Sequence, residues 1–144
     1  SGPDREILEK LSGLCDALLV EADGSKRLPL KVPAQWEPVI PEIADIVVGV
    51  IGLDCLGKKI AETAHRPEDV AGFLGENVED IVTWENVAKI AVAETGLQKG
   101  VGKRRFLVYL NKADVLESLE PAEKIVKSCR IKGVEAICGS LHKD

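Results

Sequence analysis

Glu21 and Asp23 close an apolar run in the stretch VEADG, and Asn111, Lys112 and Asp114 close another in LNKAD. A carboxylate at the end of a buried strand can hold magnesium directly or through water. A glycine just after it, here Gly24, lets the backbone approach a γ-phosphate. Glu21 is therefore the candidate magnesium ligand, and Glu21 with Asp23 the candidate catalytic pair. The commoner spacing is D-x-x-G, and here it reads E-x-x-G. N-K-x-D after a strand suits a guanine base. The Asp114 carboxylate can accept the N1–H and N2–H together, whereas adenine offers neither donor and would leave a desolvated charge unpaired. Lys112 can lie along the base plane, and Asn111 can tie neighbouring loops. Ser140 follows the next apolar run, VEAIC, in a small-residue loop where a backbone N–H would meet the guanine oxygen. The plainer alternative makes EADG a turn closed by Asp-Gly and NKAD a capped turn. Both stretches follow apolar runs in the order a nucleotide site requires, and that favours the nucleotide reading.

Cations gather beside the first carboxylates. Lys26, Arg27 and Lys31 follow Gly24 in a segment stiffened by Pro29, Pro33, Pro38 and Pro41, while His65 and Arg66 precede Pro67. These five residues are candidate binders of an anionic second substrate. The competing reading is a solvated basic loop, with His65 a structural residue because no metal-ligand set surrounds it. Cys55 lies near Lys58 and Lys59, which would lower its pKa and make it an acceptor thiolate. A buried, inert thiol is the stronger reading. Trp36 is expected to pack the long segment onto the sheet.

The stretch GLDCLGKKI, from Gly52 to Ile60, imitates a phosphate loop, with Gly52, Gly57 and Lys58 in the required places. Lys59 stands where Ser or Thr should hold magnesium. The loop also comes after the carboxylate strand, whereas a phosphate loop opens its fold. The sequence thus assigns it to a turn, with at most a substrate-phosphate role. GVGKRR (100–105) lacks the first glycine of the motif and leads into a strand.

The elements that position these residues follow from periodicity. A helix is expected over 4–15, capped by Asp4, with Ile7, Leu8, Leu11 and Leu14 on one face. DALLVEAD reads as a strand buried on both faces. The proline-rich stretch from Gly24 to Glu42 must be irregular. DIVVGVIG (45–52), FLVYLN (106–111) and VEAIC (134–138) are further strands. Helices are expected within 65–75, entered through Pro67 and stopped near Gly75, and from the Thr83 cap to about Glu94, closed by Gly96 with Val82 and Val87 as a staple. Another follows Ser118, with Pro121 in its first turn and Ile125, Val126 and Cys129 inward. Buried-type strands alternating with helices make the class α/β, a mostly parallel sheet flanked by helices, in one domain over 1–144.

Composition narrows the partners. The 144 residues carry a net charge of −5, which gives nucleic acid or an anionic membrane no electrostatic attraction. No apolar run is long enough to span a bilayer. Four scattered cysteines without a C-x-x-C pair argue against a zinc site and fit a reducing, cytoplasmic setting. The chain contains no methionine and opens Ser-Gly-Pro, so residues are expected to precede Ser1.

The stretch VEADGSKRLPLKVPAQWEPVIP, with VIGLDCLGKKI, HRPE and LNKAD, resembles the YqeC family of selenium-cofactor accessory proteins, over about Asp16 to Asp114. VEADGSKRLPLK is the distinctive part. The resemblance implies a P-loop NTPase fold whose phosphate loop lies N-terminal to everything in this sequence, so the chain is expected to be the larger C-terminal part of such a protein. It also implies nucleotide (GTP or ATP) with magnesium as cofactors where that loop is present. The second substrate would be a selenium- or molybdopterin-related small molecule, and the partner a molybdenum hydroxylase. The activity implied is nucleotide-dependent help in maturing that enzyme's selenium-containing cofactor. The alternative is a non-catalytic module that binds the cofactor or a partner and carries vestigial nucleotide motifs.

Overall fold

The computed structural model describes residues 4–141, and the opening Ser1, Gly2 and Pro3 lie outside them. In chain order the elements are α1 (Arg5–Ser12), β1 (Leu30–Lys31), β2 (Ile46–Gly52), α2 (Ile60–Thr63), β3 (Ala64–His65), α3 (Pro67–Leu74), α4 (Trp84–Val92), β4 (Arg105–Asn111), α5 (Glu120–Ile131) and β5 (Glu135–Cys138).

Helix ends follow local chemistry. The Asp4 carboxylate accepts the Glu6 N–H at 3.0 Å and starts α1. Thr83 and Asn86 form a reciprocal capping box: Asn86 N–H donates to Thr83 Oγ1 at 3.2 Å, and Thr83 N–H to Asn86 Oδ1 at 2.9 Å. Pro67 opens α3, and Gly75, at φ 70°, closes it in the left-handed conformation that glycine adopts most cheaply. Two expected boundaries shift. Helix α4 ends at Val92, short of Gly96. Helix α5 starts after Leu119, with Ser118 Oγ accepting the Glu120 N–H at 3.2 Å.

Strands β2, β4 and β5 form a parallel sheet in the order β2-β4-β5, with Val48 opposite Leu107, Val50 opposite Tyr109 and Tyr109 opposite Ile137. Both connections carry the chain the same way across the sheet. Right-handed crossovers therefore put their helices on the same face. There Ile51, Val108, Leu110 and Ala136 are buried in one cluster with Val87 and Ile90 of α4 and Ile125 and Cys129 of α5. The chain is thus a mixed α/β structure with parallel strands packed against helices. Among the described residues no helix is long and apolar enough to cross a membrane.

DALLVEAD departs from expectation. Residues 16–25 form no strand, and Leu19 is 95 % exposed. Ala22 C=O accepts the Val39 N–H at 3.2 Å, but the apolar residues before it run beside no described strand. The segment has strand composition without an edge to pair with. Its neighbour α1 behaves alike: of the predicted apolar face only Leu8 is buried, and Ile7, Leu11 and Leu14 are exposed. The long proline-rich connection is irregular as expected, apart from the two-residue β1, which pairs in parallel with β3 and sets Lys31 opposite His65.

Candidate functional site

The carboxyl ends of β2, β4 and β5 converge on the residues that the sequence singled out for base recognition. Lys112 takes a left-handed backbone, φ 63° and ψ 38°, and turns the chain into a short 3-10 segment, Ala113–Val115. A non-glycine residue there costs roughly 1–2 kcal/mol. Ala113 N–H donates to Gly139 C=O at 3.0 Å, Gly139 N–H donates to Leu110 C=O at 3.0 Å, and Asn111 Oδ1 accepts the Leu141 N–H at 3.3 Å. The NKAD loop and the CGS loop are therefore tied together, as a base site built from both would need. Asp114 is exposed and Ser140 half-buried beside them.

Asp54 also belongs to this site, and sequence reasoning missed it. Its Oδ2 lies 2.9 Å from Lys112 Nζ. Its Oδ1 is buried without a hydrogen-bond partner. A Cβ at position 52 would come within 2.5 Å of that oxygen and 2.7 Å of Pro29 Cβ. Glycine there lets both the turn and the proline-rich loop close over the end of β2. The signal was present in the sequence: an acid just after an apolar strand, the same logic that singled out Glu21.

In the turn from Gly52 to Lys59 the N–H groups at both ends are engaged within the protein. Gly52 N–H donates to Pro29 C=O, Gly57 N–H to Val82 C=O, Lys58 N–H to Cys55 C=O and Ile60 N–H to Asp80 C=O, all at 2.9–3.3 Å. The following helix, α2, has only four residues. Lys59 Nζ is 2.8 Å from Glu79 Oε2. Cys55 is fully buried, and that burial, with the Asp54 charge beside it, pushes its thiol up to about 12. This is the inert thiol and not the activated one. GVGKRR runs into β4, as expected.

The basic residues divide into two kinds. Lys26 and Arg27 are exposed, both at positive φ (51° and 66°). Lys31 is the opposite: its side chain is 9 % exposed, with Nζ 2.7 Å from Glu37 Oε2, 3.2 Å from Asp23 Oδ2 and 2.6 Å from Gly24 C=O. A solvated basic loop does not describe it. Arg66, also at positive φ, grips Glu37 with both guanidinium nitrogens at 2.9 and 3.0 Å. Arg66 first, helped by Lys31 and the Ala34 N–H, holds the Glu37 carboxyl far below the usual carboxylate range despite its burial. His65 is buried, and burial followed by the charges of Arg66, Lys31 and Lys26 lowers its pKa. Trp36 is not packed on the sheet. It is 72 % exposed, with the Arg66 guanidinium 5.5 Å from its ring centroid. The backbone of its loop is pinned from outside by Lys99 Nζ, which donates to Ala34 C=O and Gln35 C=O.

Glu21 is exposed, and Asp23 is engaged by Lys31. Among the described residues no three His, Cys, Asp or Glu side chains gather so as to hold a metal ion. The spare oxygen of Asp54 is closed off against Gly52. Exposed Glu21 would offer one carboxylate to an ion carried otherwise by phosphates and water.

The comparisons with known proteins agree with the distinctive stretches of the sequence. The family model described as YqeC protein matches residues 1–68. A curated relative, the uncharacterized protein YqeC of Escherichia coli (strain K12), is 31 % identical over 126 residues, 85 % of this chain and 49 % of the relative. The chain thus spans about half the length of the curated relative it matches. No solved structure matches. The chain belongs to the YqeC family.

Proposed function

We propose that the chain, as a single α/β domain over 1–144, is the base-reading and substrate-reading part of a P-loop NTPase-like protein. In this reading Asn111, Lys112, Asp114 and the loop at Ser140 bind the nucleotide base, GTP in preference to ATP. Glu21 contributes to a magnesium ion held mainly by the triphosphate, with Asp23 beside it. Lys26 and Arg27, backed by the Lys31, His65 and Arg66 cluster, receive an anionic second substrate. The observation that carries the nucleotide part is the bonding of the NKAD loop to the CGS loop at the carboxyl ends of adjacent parallel strands, where such sheets collect ligands.

The wider role is cytoplasmic: nucleotide-dependent help in maturing the selenium-containing cofactor of a molybdenum hydroxylase, through hydrolysis or phosphoryl transfer at the γ-phosphate. Its support is the resemblance of VEADGSKRLPLK. The test is nucleotide binding by a full-length family member that carries the N-K-x-D motif. GTP should bind more tightly than ATP, and the change corresponding to Asp114→Asn should erode the difference by about 1.5–3 kcal/mol for each charged hydrogen bond lost. Equal affinity for the two nucleotides, unchanged by the substitution, reduces NKAD to a turn.

A second reading, a non-catalytic binding module, is favoured by one observation. The backbone donors at Gly52, Gly57, Lys58 and Ile60 in the only GK-containing turn of P-loop spacing are used internally. Steady GTP hydrolysis by a full-length member would exclude it.

A further inference from the structure

Among the described residues, one face of the three-stranded sheet is largely exposed, with Leu107 and Tyr109 half-buried on it. Side chains of register partners in a parallel sheet point to the same side, so Ile46, Val48, Val50, Leu107, Tyr109 and Ile137 share the face opposite the core. Ile46, Val48 and Val50 are 53 %, 51 % and 55 % exposed. Parallel sheets are covered on both faces in folded proteins. The chain cannot cover this one with its own crossovers: β2, β4 and β5 are laid down in one direction, which puts α4 and α5 on the far side. Helices reach the second face only when the winding reverses, with strands added beyond the outer edge of β2. Near that edge, among the described residues, β2 bonds the loop before it through Gly52 N–H to Pro29 C=O. Two further apolar features lie unused just upstream of β2: the Leu18–Val20 segment, with Leu19 95 % exposed, and the Ile7, Leu11 and Leu14 flank of α1.

We propose that the exposed face and the outer edge of β2 form the docking surface for an α/β unit that the YqeC family carries outside these 144 residues. The unit would lay an apolar-faced helix over Ile46, Val48 and Val50 and pair the Ala17–Val20 segment into the sheet. The supporting length is available, since 51 % of the curated relative lies outside its match to this chain. The occupant is specified by the surface: an uncharged aliphatic helix stripe with i, i+3, i+4 spacing, because the face offers methyl groups and one phenol ring, and its two charged residues, Arg105 and Glu135 at the starts of β4 and β5, pair with each other at 3.2 Å. This inference concerns the sheet and does not depend on the nucleotide reading, so either can fail alone.

The test is thiol accessibility at position 48. In a Cys15→Ser, Cys138→Ser background the remaining native thiols, Cys55 and Cys129, are buried. Val48→Cys is made in this chain and at the aligned position of the full-length Escherichia coli relative with its own exposed cysteines replaced, and alkylation by iodoacetamide is timed. In the 144-residue chain the thiol should react like a free surface thiol. In the full-length protein it should react at least ~10-fold more slowly, because a packed helix must open before reagent enters. Light scattering of the 144-residue chain is run alongside. Equal rates in the two proteins would overturn the proposal. So would slow alkylation in a 144-residue chain that is dimeric, because a second copy would then be the occupant. A Val50→Cys pair repeats the comparison should the first variant disturb the full-length fold.

Discussion

The ammonium group of Lys112 lies 2.9 Å from Asp54 Oδ2, joining the end of β4 to the turn after β2 across 58 residues of sequence. The contact couples the proposed base-recognition motif to the turn that imitates a phosphate loop. It gives Asp54 a structural task at the site. Asp54→Ala and Lys112→Ala should be coupled in a double-mutant cycle by about 0.5–1 kcal/mol, modest because Lys112 is partly solvated. Urea unfolding of the two single variants and the double variant measures this. Strict additivity would mean the pair is not formed in solution.

Glu37 holds Lys31 and Arg66 together. Glu37→Gln should lower stability at pH 7 by about 2 kcal/mol, since Arg66 loses its carboxylate partner and buried Lys31 is left with Asp23 alone. The sign with pH follows from the depressed Glu37 pKa. Its stabilisation is complete above the ordinary value of 4.5 and is lost as pH falls from there toward the depressed folded value. The parent should therefore lose stability between pH 5 and about pH 3 more steeply than Glu37→Gln. Parallel slopes in that range would contradict the assignment.

The basic loop separates by burial. Lys26→Ala with Arg27→Ala should shift stability by no more than about 0.5 kcal/mol, as exposed charges contribute little. On the proposed function, the same pair of changes in a full-length member should nevertheless abolish support of a selenium-dependent hydroxylase in cells lacking the native protein. Lys31→Ala should instead cost about 2–3 kcal/mol, because Glu37 and Asp23 lose a buried partner. Retained hydroxylase activity with the double variant reduces the loop to a connector.

The Gly52–Lys59 turn should be irrelevant to phosphate. The 144-residue chain should not hydrolyse GTP or ATP at a useful rate, and Lys58→Ala should leave nucleotide affinity of a full-length member within about twofold, because the N–H groups of Gly52, Leu56, Gly57 and Lys58 are already bonded. Steady hydrolysis by the 144-residue chain, removed by Lys58→Ala, would show that this turn is the phosphate site.

Much of this protein was decided within a few residues at a time. The Thr83–Asn86 cap, the Pro67 start and Gly75 stop of α3, and the apolar runs of β2, β4 and β5 depend on neighbours close in the chain, so the sequence alone placed them and their parallel class. The stretches diagnostic of the family were equally legible. Tertiary structure decided what depends on distant partners. Lys31 reads as one more loop cation until β1 pairs with β3 and buries it against Glu37 and Asp23. Arg66 finds Glu37 across 29 residues and Lys112 finds Asp54 across 58, distances closed by crossovers that no local pattern encodes. DALLVEAD has the composition of a buried strand but forms none here. Composition sets what a segment would gain by pairing, and only the fold supplies an edge to pair with.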